Sequence, residues 1–308
     1  MFSSSGRKIT LAIPNKNGGK YIRKTLQSLS TGSNRIFTQW WLQDSESIDD
    51  SISFANSFKS NDDTICVQRD SGQANGINRA FEKMGGQIVG YINSDDCLAD
   101  GAAEKVIQLF EQSPDADIVV GGIQWIDSTG KVIGRHRGEV SCLEDALDIY
   151  RFWWNQKQWV QPEVFFHRRL YDAVGGFDES FSLAFDFDFW LRVLRLRPKV
   201  IFTDSTLVQF RRHDEQRSVE FERANEEIRL AVERQLQDQT CPISRRFRIC
   251  LSNQLSFDLY QSGSSRSPLH GRSLSYALKR QPSWMLLPCV RQRLIAHVRR
   301  RLSRKETS

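Results

Sequence analysis

Short apolar runs alternate with helical stripes along the first half of the chain. The runs at 8–14, 36–44, 63–70, 88–92 and 117–123 have the length and composition of strands. Between them, apolar residues recur every three or four positions, which is the spacing of one helical face. These stripes are formed by Ile22, Leu26 and Leu29, by Ile77, Phe81 and Met84, and by Val106, Ile107, Leu109 and Phe110. The alternation predicts an α/β fold with a mostly parallel sheet and helices on both faces.

Polar or turn-forming residues stand at the carboxyl ends of four of these predicted strands. They are Pro14-Asn15, Asp44, Asp70 and Asp95-Asp96. A single aspartate at a strand end commonly belongs to a turn. In an open α/β sheet, however, ligands bind outside the carboxyl ends of the strands, where these side chains would meet. The repetition therefore favours a binding site over independent turns.

The adjacent carboxylates of Asp95 and Asp96 indicate the chemistry of that site. Two like charges at the end of a core strand repel each other and lose hydration on burial, and a divalent cation would neutralise both. The chain has neither a GxGxxG nor a GxxxxGK[ST] phosphate-binding loop. A phosphorylated ligand held by carboxylates needs a bridging metal. These residues indicate a metal-chelated nucleotide diphosphate, with the other acids contacting base and ribose.

The composition is that of a soluble globular protein. The chain has 308 residues, of which 39% are hydrophobic and 26% charged, enough for one large domain and an appendage. No apolar run reaches the about 20 residues of a membrane-spanning helix, and the first apolar stretch is too short for a secretion signal. The six cysteines form no CxxC pair. They indicate a reducing cytoplasm and no structural zinc.

The positive charge is concentrated at the end of the chain. Residues 241–308 contain fourteen Lys or Arg and two acids, a net charge of +12. Since the whole chain has a net charge of +6, residues 1–240 have a net charge of −6. We therefore predict a domain at 1–240 and a basic, mostly helical extension at 241–308. In residues 284–305, arginines alternate with apolar residues at helical spacing. Such a helix could lie on an anionic cytoplasmic membrane or pack on the protein with a solvated basic face.

Several segments, in order, resemble glycosyltransferase family 2 with the GT-A fold, in particular its bacterial non-processive members with an N-S-D-D metal motif. The resemblance covers about residues 8–215. Its segments are "IPNKNGGKYIRKTLQSL", "QDSESIDDS", "RDSGQANGINRAF", "NSDD", "GGFDESFSLAFDFDFWLRV" and "QFRRHDEQRS". By this resemblance, the nucleotide contacts are Pro14, Asn17, Asp44, Asp70 and Asp95, the metal ligands are Asp96 and His213, and the catalytic base is Asp186.

The resemblance also implies the reaction. It implies inverting transfer of a single sugar from a nucleotide-diphosphate sugar, most commonly a UDP-sugar, with Mn²⁺ or Mg²⁺ as cofactor. No QxxRW sequence, which resembles processive polymer synthases, is present. The acceptor would be a hydroxyl of a glycan or of a lipid-linked molecule. Trp159, Gln161 and Asp188 are the candidate residues of the acceptor cleft.

Other interpretations of the same residues stay open. Asp186 and Asp188 could be acids favoured at a helix start, and His213 could be a surface histidine beside two arginines. A sugar-nucleotide nucleotidyltransferase uses a similar sheet and metal but needs a basic triphosphate loop, for which the segment after Pro14 offers little. The basic extension could bind nucleic acid, since arginine clusters neutralise phosphates, but nucleic acid is not the expected partner. A catalytically inactive scaffold is a further alternative, against which the intact strand-end acids argue.

Overall fold

A computed structural model describes residues 8–213, 220–261, 266–287 and 290. The chain divides into two compact units, Met1–Val232 and Glu233–Ser308. The boundary after residue 240 that the charge distribution indicates stays a prediction.

The first unit is built on one twisted sheet. Within the described residues it has nine strands, in the order β3-β2-β1-β4-β8-β6-β9-β5, with β7 pairing with β6 outside this path. The strands are β1 Ile9–Asn15, β2 Thr38–Asp44, β3 Thr64–Val67, β4 Ile88–Tyr91, β5 Cys97–Leu98, β6 Ile118–Ile126, β7 Val132–Arg137, β8 Val164–His167 and β9 Val200–Arg211.

Helices connect these strands and extend the chain beyond them. They are α1 Ile22–Ser30, α2 Asn34–Phe37, α3 Ser51–Phe58, α4 Gln73–Lys83, α5 Ala102–Gln112, α6 Leu143–Leu147, α7 Arg168–Val174, α8 Phe185–Leu194, α9 Phe221–Gln237, α10 Arg245–Gln261 and α11 Leu274–Arg280, followed by a 3₁₀ helix at Pro282–Leu286. None of the helices in the described part of the chain is long and apolar enough to cross a membrane.

The first four strands in space are parallel, as predicted, and their register aligns their carboxyl ends. β1 pairs with β2 and β4, and β2 pairs with β3, all in parallel. In this register Asn15 lies opposite Asp44, and Asp44 lies opposite Val67. The second half of the sheet is mixed, since β8 pairs antiparallel with both β4 and β6, whereas β9 is parallel to β6.

The predicted apolar stripes are buried or partly buried, and those of α1 and α5 belong to the main hydrophobic core of the sheet. Ile22, Leu26 and Leu29 of α1 are fully buried against strand residues such as Leu11 and Trp40. Burying one such aliphatic side chain is worth about 1.5–3 kcal/mol. The apolar residues whose spacing predicted α1 therefore also hold this helix against the sheet, with the amino end of α1 beside the end of β1.

The second unit has a small helical core of its own. It consists of Phe257, Leu269, Ala277, Trp284, Leu287 and Val290. Trp284 is fully buried in this core, whereas Met285 and Leu286 are exposed. The remainder of the predicted arginine-rich helix, residues 291–308, lies outside the described residues.

Candidate active site

Asp44 lies at the centre of the aligned strand ends. It is buried, and its Oδ2 accepts hydrogen bonds from Asn15 Nδ2 and Ser47 Oγ, both at 2.6 Å. Its Oδ1 accepts from the amide of Ser47 at 2.8 Å. The side-chain oxygen of Asn15, Oδ1, is also buried and has no hydrogen-bond partner among the described residues. These donors fix the carboxylate in one orientation at the strand edge.

The loop after β1 packs directly against this group. Asn17 adopts φ +54°, a left-handed conformation that asparagine tolerates. Its amide donates to Ser47 Oγ at 2.7 Å, and its Oδ1 accepts from the amide of Ile48 at 3.0 Å. At Gly18, an added Cβ would lie 2.3 Å from Asn15 Oδ1 and 2.9 Å from the hydroxyl of Ser94. The close approach of this loop to two strand ends therefore requires glycine.

Asp70 lies beside the same edge, after β3. Its amide donates to Ser45 Oγ at 3.2 Å, and its Oδ1 accepts from the amide of Gly72 at 3.2 Å. The amide of Ser45 in turn donates to the carbonyl of Asn15 at 2.8 Å. Pro14, the last of the predicted nucleotide residues along this edge, pairs in register with Gln43 of β2. The structure thus brings the predicted nucleotide residues of the first three strands together.

Asp96 is fully buried, and the protein already uses both of its carboxylate oxygens. Its Oδ1 accepts from the amide of Arg211 at 2.9 Å, and its Oδ2 accepts from Asn93 Nδ2 at 3.0 Å. Burial and the neighbouring charge of Asp95 raise the pKa of Asp96 well above its usual range, against these hydrogen bonds. Asp96 therefore anchors the loop after β4 to the end of β9.

Asp95 instead faces His213. Its Oδ2 lies 3.0 Å from His213 Nε2, and the two side chains are 23% and 10% exposed, respectively. The imidazole packs against Tyr21, with the ring centroids 4.7 Å apart. No group of three or more His, Cys, Asp or Glu residues that could hold a metal occurs among the described residues. A carboxylate oxygen and an imidazole nitrogen at this separation can supply two ligands to a divalent cation, and ligand oxygens would supply the others.

Arg211 binds both Asp95 and Asp96, and the sequence did not single it out. Its side chain is buried, and its Nε donates to the carbonyl of Asp95 at 2.9 Å. Its Nη1 donates to the carbonyl of Asp127 at 3.1 Å, and its guanidinium lies 4.9 Å from the ring centre of Tyr21. The only signal was its place two residues before His213. The positive charge of Arg211 partly compensates the negative charges of Asp95 and Asp96.

Asp186 lies in the first turn of α8. Its Oδ1 accepts from the amide of Phe187 at 2.8 Å. Burial nevertheless raises the pKa of Asp186 from 3.8 to about 6. Burial, together with the carboxylates of Asp186 and Asp96, also raises the pKa of Tyr91 well above its usual range. The Tyr91 ring also lies 6.2 Å, between centroids, from the ring of Phe185 in α8, so that the end of β4 and the start of α8 are neighbours.

The predicted acceptor residues have different surroundings. Trp159 and Asp186 line one largely apolar pocket, in which Trp159 packs edge-on against Trp190 at 5.1 Å. Gln161 is buried, and neither its Nε2 nor its Oε1 has a hydrogen-bond partner among the described residues. Asp188 is buried, and its Oδ2 accepts from Arg192 Nε at 2.8 Å. This ion pair gives Asp188 a structural partner within α8.

Solved structures with the same fold include two nucleotide-sugar complexes. TarS of S. aureus, residues 1–349 in complex with UDP-GlcNAc, has a TM-score of 0.62 and 15% identity, over 90% of this chain and 78% of TarS. The mannosyltransferase PcManGT of Pyrobaculum calidifontis, in complex with GDP-Man and Mn²⁺, has a TM-score of 0.56 and 15% identity, over 94% of this chain and 83% of PcManGT. At such low identity the likeness establishes the fold, and it confirms the predicted GT-A architecture.

Similar sequences occur in bacteria and archaea. An uncharacterized glycosyltransferase of Rickettsia typhi is 24% identical over 211 residues, which are 68% of this chain and 65% of that protein. One of Rickettsia felis is 24% identical over 231 residues, but the match spans only 36% of its length. One of Methanocaldococcus jannaschii is 18% identical over 195 residues, or 62% of this chain and 66% of that protein.

The family assignment rests on the sequence itself. The family model described as "Glycosyl transferase family 2" matches residues 10–177 of the 308, which is more than half of the chain. This range contains β1 to β4, the strands whose carboxyl ends bear Asp44, Asp70 and Asp95. The protein therefore belongs to glycosyltransferase family 2, as its sequence predicted.

Proposed function

We propose that this protein is an inverting, metal-dependent glycosyltransferase that moves one sugar from a nucleotide-diphosphate sugar to a hydroxyl acceptor. The proposal rests on the arrangement of acidic residues along one edge of the sheet. Asp44 and the Asp95–His213 pair lie at this edge, and the partly buried Asp186 lies beyond Tyr91. The complexes of TarS with UDP-GlcNAc and of PcManGT with GDP-Man and Mn²⁺ support a nucleotide-sugar donor.

The nucleoside would bind at the ends of β1 to β3. Asp44 and Asp70 offer carboxylate oxygens to base and ribose donors, and the loop at Pro14 and Asn17 would cover them. We propose UDP as the nucleotide. The buried, unpartnered Oδ1 of Asn15 lies at the same edge and offers a further acceptor. A ligand donor that reached it would relieve the cost of leaving a buried polar atom unpaired.

A divalent cation, Mn²⁺ or Mg²⁺, would be held by Asp95 and His213. When bound, it would act as a Lewis acid that neutralises the charge developing on the leaving diphosphate. Asp96, the ligand that the resemblance implies, is proposed to join Asp95 and His213, because each of its oxygens accepts one hydrogen bond from the described residues and keeps a second lone pair. Asp96 and Arg211 would hold the Asp95 backbone in place from the side of β9.

Asp186 would be the general base. A carboxyl with a pKa of about 6 is largely ionised at neutral pH and is still a stronger base than an ordinary aspartate. It would remove the proton from the acceptor hydroxyl as that oxygen attacks the anomeric carbon opposite the diphosphate, which inverts the configuration. Trp159 lines the same apolar pocket as Asp186, and Gln161 follows Trp159 in the chain with a buried amide that has no partner among the described residues, so we propose that both lie on the acceptor side of the site.

The test separates binding from chemistry. We would measure UDP binding by calorimetry with and without Mn²⁺, and transfer with a panel of nucleotide sugars. We expect Asp95→Ala to remove the metal-dependent part of UDP affinity, and Asp186→Asn to retain that affinity while lowering transfer at least about a hundredfold. Asp100→Ala, which changes an exposed aspartate, is the matched control. Equal UDP affinity with and without metal in the wild type would refute metal dependence, and full transfer by Asp186→Asn would refute the base.

We further propose that the second unit brings the enzyme to an anionic membrane, where a lipid-linked acceptor would be available. The exposed side chains of Met285 and Leu286 follow two basic residues at the end of α11, Lys279 and Arg280. An apolar pair beside basic residues suits the boundary between headgroups and acyl chains. The arginine-rich residues 291–308 would add to this attraction.

A further inference from the structure

Glu227, on α9, binds the backbone at the entrance to α8. Its Oε2 accepts hydrogen bonds from three consecutive amides, those of Ser182, Leu183 and Ala184, at 3.0, 2.7 and 3.0 Å. Ala184 is the N-cap of α8, and no side chain of the N-cap itself caps the helix. The helix that carries Asp186 is therefore held at its start by a carboxylate from an element more than 30 residues further along the chain.

These contacts are of a strong kind. Hydrogen bonds to an ionised acceptor are about twice as strong as those between neutral groups, and a negative charge is favourable beside the amino end of a helix. The Glu227 side chain is only 14% exposed, so that solvent screens it weakly. Its second oxygen lies 3.7 Å from Arg223 Nε, and Arg223 Nη2 donates to the hydroxyl of Ser182 at 3.1 Å. Both side chains on α9 thus bind the same short segment.

The position of this segment determines where the base points. Asp186 follows Ala184 by two residues, and its carboxylate lines the pocket that also contains Trp159. A displacement of about 1 Å in a reacting group can cost about a hundredfold in rate. Glu227 lies beyond the residues that match the family model, 10–177, so the family match assigns it no role.

We propose that Glu227 is a positioning residue for the transfer reaction. By holding the three amides before α8, its carboxylate keeps Asp186 partly buried and directed into the acceptor pocket. This inference rests on the proposed role of Asp186 as base. Two claims can be tested separately. The first is that Glu227 orders residues 182–184. The second is that this order sets both the ionisation of Asp186 and the turnover number.

The test compares Glu227→Gln with Glu226→Gln, an exposed neighbour on the same helix that undergoes the same chemical change. In Glu227→Gln we expect faster hydrogen exchange at residues 182–184 and a kcat reduced about tenfold or more, with the donor KM within about twofold. We also expect the pKa of Asp186 to fall from about 6 toward 3.8, because the loosened helix start admits water. NMR of ¹³C-labelled aspartate, assigned with Asp186→Asn, measures that pKa without any substrate. Glu226→Gln should change none of these quantities.

Each outcome decides one of the two claims. Unchanged exchange at 182–184 in Glu227→Gln would overturn the ordering role, and an unchanged Asp186 pKa or kcat in a protein with raised exchange would overturn the positioning role. A wild type that transfers no sugar would refute the proposed function, whereas the exchange and NMR measurements would still decide the inference. If Glu227→Gln does not fold, Glu227→Asp, which keeps the charge but shortens the side chain, takes its place in the same measurements.

Discussion

Replacing Asp186 by asparagine should stabilise the protein, and the gain should depend on pH. Burial raises the pKa of Asp186 from 3.8 to about 6. The folded protein therefore keeps a proton on this carboxyl that the unfolded chain has already lost between these two pH values. The free energy of unfolding falls as the pH rises through this window, and the cost is fully present above about pH 6. Asparagine cannot ionise, so that the variant escapes this cost.

The size of the effect follows from the pKa difference. One pKa unit corresponds to about 1.4 kcal/mol, so that ionising Asp186 in the folded state costs at most about 3 kcal/mol. Solvent reaches part of the side chain and screens part of this cost, and we therefore expect a gain of about 1–3 kcal/mol at pH 7.5. At pH 4 only about 0.5 kcal/mol of this gain should remain, because the wild-type carboxyl is then protonated when folded and about half ionised when unfolded.

Urea unfolding at pH 4, 5, 6 and 7.5 would measure this difference. The control is Asp100→Asn, which alters an exposed aspartate. Because the chain has two compact units, the signal should come from the first unit, for example from hydrogen exchange of α8 amides at each urea concentration. A stability difference between wild type and Asp186→Asn that stays constant from pH 4 to 7.5 would show that Asp186 has an ordinary pKa and would remove the electrostatic argument for its role as base.

Three other predictions test the loop, the buried arginine and the basic end of the chain. Gly18→Ala should weaken UDP binding about tenfold or more in calorimetry, because the new Cβ would lie 2.3 Å from the side-chain oxygen of the asparagine that ends β1. As a control, Gly85→Ala should bind UDP as the wild type does, because a Cβ added there has no atom within 4 Å. Arg211→Met should lower the free energy of urea unfolding by about 3–5 kcal/mol, since it leaves the buried Asp96 without its compensating charge; a loss below about 1 kcal/mol would contradict this. Deletion of 291–308 should release the protein from anionic vesicles in a flotation assay without changing UDP binding, and a full-length protein that ignores such vesicles at low salt would refute membrane association.

The sequence predicted the part of the fold that local patterns determine. Apolar runs ended by acids correctly indicated a parallel sheet, because a buried strand must be apolar and its exit must be polar. The meeting of Asp44 and Asp70 at one edge followed from the general geometry of such sheets. The family assignment was confirmed by the family model that matches residues 10–177, and the GT-A architecture by the likeness to TarS.

Contacts between distant segments could not be predicted in the same way. Local patterns do not distinguish the surroundings of Asp95 from those of Asp96, and the hydrogen bond from the amide of Arg211, 115 residues away, shows that Asp96 is turned inward. Nothing in the residues around Glu227 indicates that it meets the amides before α8, 43 to 45 residues earlier. The Asp188–Arg192 pair, by contrast, has the helical i,i+4 spacing, and the sequence could have indicated it as structural.

If Asp95 and His213 hold a cation, as we propose, the end of β9 makes the completion of folding a condition for binding it. Asp95 follows β4, whereas His213 lies two residues beyond β9, and Arg211 binds the loop after β4 from the end of β9. A chain shortened before β9, or one still emerging from the ribosome, would contain the acids but not their imidazole partner. We therefore expect Mn²⁺ affinity to appear late in refolding, together with protection of the Arg211 amide from hydrogen exchange. Folding intermediates that lack β9 should bind the ion poorly.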